Sequence, residues 1–331
     1  MDRLSLLNAW QRGLPLTERP FDTLATVHGC SVPALLAELR SAQQAGQLSR
    51  VGGVFAASAG GAALLAAMAV PEARLDAVAA IVSAHPGVNH NYAREHAHNL
   101  WFVMTGVDAA AVERSMQALE AATSLPALRL PLRRPYRIDL GFDLRRSTAG
   151  TAPGERRLRA PAVADHDRAL AALVEDGLPL IERPFNAWAQ ALGWRTERVL
   201  QVLARWLDQG TLRRFGLIVR HHEFGFTHNA MAVFDVPDTQ VDVLGPRLAA
   251  QPGITLCYRR ERAGGWPYNL YGMVHGRDRD SVRAVLASAT AAAGLDGLSQ
   301  QVLFSWRRYK QTGARRFRDL PVMETDHAHA G

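Results

Sequence analysis

The chain has 331 residues, 48% of them apolar, which suits about two domains with real hydrophobic cores. Its 38 basic residues against 31 acidic ones give a net charge of +7, and that balance points to polyanionic partners: nucleic acid, anionic lipid, or a ligand with many carboxylates. Cys30 and Cys257 are the two cysteines and neither has a CxxC neighbour, which argues against a disulfide scaffold and a structural zinc site. The acidic start at Asp2 argues against a signal peptide, and the longest apolar stretch, 60–71, is too short for a bilayer, so a cytoplasmic protein with no membrane partner is expected.

In chain order, Leu4, Leu7 and Trp10 suit a short amphipathic helix. Pro20-Phe21 opens a second helix that Gly29 breaks. Ser31 caps a third, with Leu35, Leu36 and Leu39 on its apolar face and Gly46 at its end. The segment 48–56, LSRVGGVFA, alternates like a small β-wing. A strand at 63–70, a helix from Pro71 to about Ala84, strands at 87–94 and 98–105, a helix capped by Asp108 and a strand near Leu128 follow. That order is βαββαβ.

The plan then repeats. Residues 13–21 read GLPLTERPF and residues 177–185 read GLPLIERPF, eight of nine positions matching at an offset of 164. HPGV at 85–88 echoes QPGI at 251–254, and Tyr92 and Arg94 echo Tyr258 and Arg260. This is a domain-scale duplication. The expected organisation is a winged helix-turn-helix over 1–58, a ferredoxin-like domain over 59–143, a Gly/Pro/Arg-rich linker over 144–163, a second winged helix-turn-helix over 164–222, a second ferredoxin-like domain over 223–318 and a tail from 319. The fold class is α+β.

A winged helix followed by βαββαβ resembles the Lrp/AsnC family. The motifs GLPLTERPF, HPGVNHNYAREHAHNLWF (85–102), RRFGLIVRHHEFGF (213–226) and CYRRERAGGWPYNLYGMVHG (257–276) resemble its siroheme decarboxylase branch, in a fused two-subunit form. The resemblance implies loss of two acetate carboxyls from siroheme, an iron isobacteriochlorin, to give didecarboxysiroheme in haem d1 or alternative haem biosynthesis. It implies no organic cofactor, because the macrocycle brings its own iron. It implies an internal pseudo-dimer of the halves, and leaves open a further homo-oligomer and a paralogous decarboxylase as partners.

Such a reaction needs groups that clamp carboxylates, exclude water and deliver a proton. On a strand, residues two apart share a face, so His90, Tyr92, Arg94 and His96 line one side. Tyr258, Arg260 and Arg262 do the same in the second copy, with Arg259, Trp266, Tyr268 and Asn269 nearby. Arg50 and Arg214 occupy matching places in the two wings. His221 and His222 follow the second wing, where the first copy has alanines. The expected substrate-binding set is Arg50, His90, Tyr92, Arg94, Arg214, Tyr258, Arg259, Arg260, Arg262, Trp266 and Asn269. The expected proton donors are His221, Tyr268 and His96, with His221 also a candidate ligand to the substrate iron.

Two other readings use the same residues. A DNA-binding regulator would read bases from the start of its second helix-turn-helix helix, where the first copy offers Ser31, Val32, Pro33 and Ala34, poor in donors; no specific DNA binding is expected. A non-catalytic tetrapyrrole sensor would use the same pocket without turnover.

Overall fold

The computed structural model describes residues 2–138, 141, 144–145 and 160–320. Most of the expected linker, and the tail with His327 and His329, lie outside the described residues.

The first copy runs α1 (Arg3–Ala9), α2 (Pro20–Val27), α3 (Val32–Gln44), β1 (Leu48–Phe55), β2 (Ala62–Met68), α4 (Leu75–Ala84), β3 (Val88–Arg94), β4 (Leu100–Gly106), α5 (Ala109–Thr123) and β5 (Ala127–Ile138). The second runs α6 (Arg168–Asp176), α7 (Pro184–Leu192), α8 (Thr196–Gln209), β6 (Leu212–Val219), β7 (His228–Phe234), α9 (Val241–Ala249), β8 (Ile254–Arg260), β9 (Leu270–Gly276), α10 (Arg279–Ala293) and β10 (Gln300–Gln311). The capping signals act as expected. Asp108 Oδ1 accepts from the Ala111 amide at 2.6 Å and Ser31 Oγ from the Ala34 amide at 3.4 Å.

The compact units are not the two copies. One unit takes Met1–Gly60, Asp139–Thr227 and Gly276–Asp278; the other takes Gly61–Ile138, His228–His275 and Arg279–Gly331. Each draws on both copies, so the duplication is interleaved in space.

In the helical unit, β1 and β6 are the two expected wing strands. They pair with each other, antiparallel, with Gly52 opposite Gly216. A lone strand must satisfy its edge somewhere, and the other copy supplies it. The repeated GLPL motifs complete the exchange. The Leu14 amide donates to the Phe215 carbonyl at 3.2 Å, and the Leu178 amide to the Val51 carbonyl at 2.6 Å. Gly216 permits this approach: a Cβ there would lie 2.4 Å from the Trp10 carbonyl oxygen.

In the other unit, eight strands close into a barrel in the order β10-β3-β4-β2-β5-β8-β9-β7. Two strands longer than expected close it. The start of β5 pairs with β2 and its end with β8; the start of β10 pairs with β7 and its end with β3. Closure leaves no edge strand. Alternation then sorts the side chains. Leu100, Phe102 and Met104 of β4 pack under α4 and α5, and Leu270 and Val274 of β9 pack under α9 and α10. The opposite faces, with Trp101, Tyr271, Leu130 and Leu303, form a third cluster inside the barrel.

Candidate active site

The barrel interior carries a pseudo-symmetric pair of tyrosine–arginine units. On β3, the Arg94 guanidinium lies 5.8 Å from the Tyr92 ring centre, and Tyr92 stacks on His90 at 6.0 Å. On β8, Arg260 lies 5.2 Å from the Tyr258 ring and 5.8 Å from that of Tyr271. Each arginine donates one Nη1 bond to a backbone carbonyl contributed by the other copy: Arg94 to Leu303 at 2.9 Å, Arg260 to Leu130 at 2.8 Å. The Nε atom of each is buried without a hydrogen-bond partner. Among the described residues neither guanidinium forms an ion pair with a carboxylate. A buried cation without a counter-ion is costly, and the cost shows in their acidity. Burial lowers both, Arg94 to about 10. The same burial raises Tyr258 above the usual phenol range.

Beside these units the 96–101 and 266–271 segments meet in an aromatic cluster. Trp266 packs against His96 at 5.3 Å, His98 at 5.8 Å, Trp101 at 5.2 Å and Tyr268 at 5.0 Å. The indole Nε1 of Trp266 donates to the Tyr271 hydroxyl at 2.7 Å, which donates onward to the Tyr268 carbonyl at 3.3 Å. His96 accepts the His98 amide at Nδ1, 2.9 Å away. In the neutral ring that puts the proton on Nε2, a donor. Burial lowers the basicity of His96, offset in part by hydrogen bonds with Gln301 and the His98 backbone.

Of the expected residues, the barrel unit gathers His90, Tyr92, Arg94, His96, Tyr258, Arg260, Trp266 and Tyr268. Arg259, Arg262 and Asn269 stand apart. Arg259 pairs with Asp238 and Asp242, and Arg262 with Asp235 and Asp238. Their forks are spent on the chain's own carboxylates. Arg262 follows the end of β8 and does not continue the Tyr258–Arg260 face. Asn269 acts as a backbone bridge: its Oδ1 accepts from the Val236 amide at 3.0 Å and its Nδ2 donates to the Val236 carbonyl at 2.9 Å. Asn99 makes the same bridge to Val70 in the first copy, so the shared asparagine marks a structural role.

Arg50, Arg214 and His221 belong to the helical unit. Arg214 is buried on β6 and donates to the Gln11 carbonyl at 3.2 Å; Arg50 on β1 donates to the Gly53 carbonyl at 3.1 Å. Burial lowers the Arg50 guanidinium, with Glu175 and Asp176 acting in the other direction. His221 is buried at the start of a single 3-10 turn, His221–Phe224. His222 is more exposed and lies 3.5 Å from Glu223.

Sequence reasoning missed His275. It faces inward on β9, two residues beyond Met273, with Nδ1 2.9 Å from Thr255 Oγ1. The alternation rule that placed Tyr92 and Arg94 extends from Tyr271 to His275 and would have found it. No cluster of three or more His, Cys, Asp or Glu side chains able to hold a metal is present among the described residues.

Comparison with known proteins agrees with this fold. The family model for the AsnC-like ligand binding domain matches residues 58–137 and 223–310, and the siroheme decarboxylase NirDL-like HTH domain matches residues 167–213. The chain is 41% identical to the siroheme decarboxylase NirDL subunit of Paracoccus denitrificans, over 94% of this chain and 96% of that one. It is 27% identical, over 94% of each chain, to the siroheme decarboxylase of Hydrogenobacter thermophilus. A crystal structure of siroheme decarboxylase NirDL in co-complex with an iron-uroporphyrin III analogue matches with a TM-score of 0.66 and 25% identity, covering 96% of this chain and 95% of that one.

Proposed function

The chain belongs to the siroheme decarboxylase family, and from that premise we propose that it removes two acetate carboxyls of siroheme to give didecarboxysiroheme, acting as a carboxy-lyase. The observation that carries this reading onto the geometry is the pair of guanidiniums, Arg94 buried and Arg260 half-buried, each with an enclosed Nε and no carboxylate partner among the described residues. A ligand bearing many carboxylates supplies the missing counter-ions.

Each acetate that leaves as carbon dioxide breaks a C–C bond. The electron pair passes toward the macrocycle, and one proton completes the new methyl group. The macrocycle is the electron sink, so no organic cofactor is needed and the protein's work is orientation, exclusion of water and proton delivery. Arg94 and Arg260 hold carboxylates, Tyr92 and Tyr258 flank them, and Trp266 offers an apolar wall. His96, through Nε2, and Tyr268 are the proton donors that the barrel offers. As the alternative within the helical unit, His221 is the candidate donor or ligand to the substrate iron, and Arg50 and Arg214 are that unit's candidate anchors.

No helix among the described residues is long and apolar enough to cross a membrane, and we place the enzyme in the cytoplasm. The first turn of α3 presents Val32 and Pro33 to a groove, so specific operator binding is not part of the proposal. Further self-association and a paralogous subunit are compatible with it. Anaerobic incubation with excess siroheme tests the reading: multiple turnovers of carbon dioxide and a product lighter by two carboxyl losses support it. Stoichiometric binding without release makes the chain a tetrapyrrole-binding protein instead.

A further inference from the structure

Tyr271 sits on the inner face of β9, 1% exposed, between two parts of the site. On one side the Arg260 guanidinium lies 5.8 Å from its ring centre. On the other, its hydroxyl accepts from the Trp266 indole Nε1 at 2.7 Å and donates to the Tyr268 carbonyl at 3.3 Å. Burial raises the phenol to about 12, so it keeps its proton at neutral pH and can donate and accept at once.

The first copy shows what the hydroxyl adds. Asn99 and Asn269 make the same backbone bridge, and counting from them puts Trp101 at the place of Tyr271, His98 at that of Tyr268 and His96 at that of Trp266. Trp101 Nε1 donates to the His98 carbonyl at 2.6 Å, the counterpart of the bond from Tyr271 to Tyr268. An indole N–H can only donate, so that side chain stops there. A phenol also accepts, and its second bond reaches the side chain of Trp266. Trp266 is 2% exposed, so without this acceptor its N–H would be left buried and unsatisfied.

We propose that Tyr271 is a positioning residue for decarboxylation: its hydroxyl fixes the orientation of the Trp266 wall relative to the Arg260 cation. The proposal rests on the decarboxylase reading of the site. Tyr271 touches both groups and so sets one against the other. A substrate held by Arg260 then meets the indole in one orientation, which keeps water from the acetate that leaves. Without the hydroxyl the ring still lies beside Arg260, while the indole is free to turn toward another acceptor. Binding therefore survives and turnover falls.

Tyr271→Phe in the full chain removes only the hydroxyl. At saturating siroheme its turnover should fall roughly 10–100-fold, as misplacement of a positioning group does, while affinity for iron-uroporphyrin III changes less than about threefold. The Trp266 indole N–H resonance, identified by its loss in Trp266→Phe, should shift upfield in Tyr271→Phe. On the Trp266→Phe background the same substitution should change turnover less than about threefold, because the group it positions is gone. A turnover loss below about tenfold, a loss carried by affinity, an unmoved indole signal, or full additivity in the double variant overturns the proposal and leaves the decarboxylase reading intact. A wild type that releases no carbon dioxide from siroheme overturns both. If Trp266→Phe does not fold, the split between turnover and affinity in Tyr271→Phe still decides.

Discussion

The Arg94 and Arg260 sides of the barrel share a frame and differ in what surrounds it. Both have Tyr-X-Arg on an inner strand, an asparagine bridge behind it, and a carbonyl of the opposite copy accepting from the guanidinium. Around Arg94 stand two histidines; around Arg260 stand tyrosines and a leucine. Duplication preserved the two tyrosine–arginine units and let the side chains around them diverge. Under the proposed reading, both sides offer a cation to a carboxylate and only the Arg94 side places histidines near it.

The sharpest test of that division is the proton donor, because losing a general acid typically costs 10²–10⁴-fold in rate. If His96 supplies it, His96→Ala loses about 10²-fold or more of turnover, while the optical spectrum of bound siroheme stays unchanged. If His221 ligates the iron, His221→Ala changes that spectrum. Full activity and an unchanged spectrum in His221→Ala remove the helical-unit histidine from the mechanism. Full activity in His96→Ala removes His96 and leaves Tyr268 as the barrel's candidate donor.

The arginines come next. Arg94→Ala and Arg260→Ala should each weaken siroheme binding by roughly 10–100-fold, since a charge-assisted bond is worth about 1.5–3 kcal/mol. The Arg260 variant should retain its turnover rate once saturated, and the Arg94 variant should not. Equal loss of turnover in both would erase the distinction between the two sides.

These residues also mark what a sequence can tell. The Tyr92–Arg94 and Tyr258–Arg260 faces were legible because strand alternation and the repeat give the same answer twice. The pairing of the two wing strands with each other is not legible in the same way, since nothing in LSRVGGVFA says whether its partner is adjacent or about 160 residues away. Asn269 and Arg262 look ligand-facing in the sequence because polar types in a rich motif look functional. Only the structure reveals that Val236, Asp235 and Asp238 already consume them.

His90 and His275, neutral at pH 7 because burial lowers both, predict a pH signature in stability. A folded value near 4 lies below the unfolded value of 6.5, so the folded state binds fewer protons than the unfolded one between these limits. The stabilisation is complete above about pH 6.5 and is lost as pH falls toward 4. At 1.36 kcal/mol per unit, discounted because both side chains are partly accessible, the pair accounts for roughly 1–3 kcal/mol. Urea unfolding at pH 7 and pH 4.5 should show a smaller acid loss in the His90→Gln/His275→Asn double variant. Identical losses would place these histidines in an environment as wet as the unfolded chain.

The smallest effect lies on the outside of the barrel, where the copies diverge again. Arg129 on β5 is clamped by Glu113 and Glu120 of α5, at 2.9 and 2.8 Å. At the same register β10 carries Val302, and the matching positions of α10 are Arg283 and Thr290. On β10 no cation stands at the place of Arg129, and a cleft of about 380 Å³ remains, lined by Ala232, Leu286, Val302 and Arg283 among others. Arg129→Ala should therefore cost about 1 kcal/mol, near the upper end for a partly exposed pair because two carboxylates lose one partner. Val302→Ala, at a site 40% exposed, should cost less than about 0.5 kcal/mol. Urea melts of the two variants at low and high salt check this: the Arg129 loss should shrink with salt, as screening of an ion pair requires, and the Val302 loss should not. A salt-independent loss at Arg129 would mean that its aliphatic stem packed against α5, not its charge, holds the first groove shut.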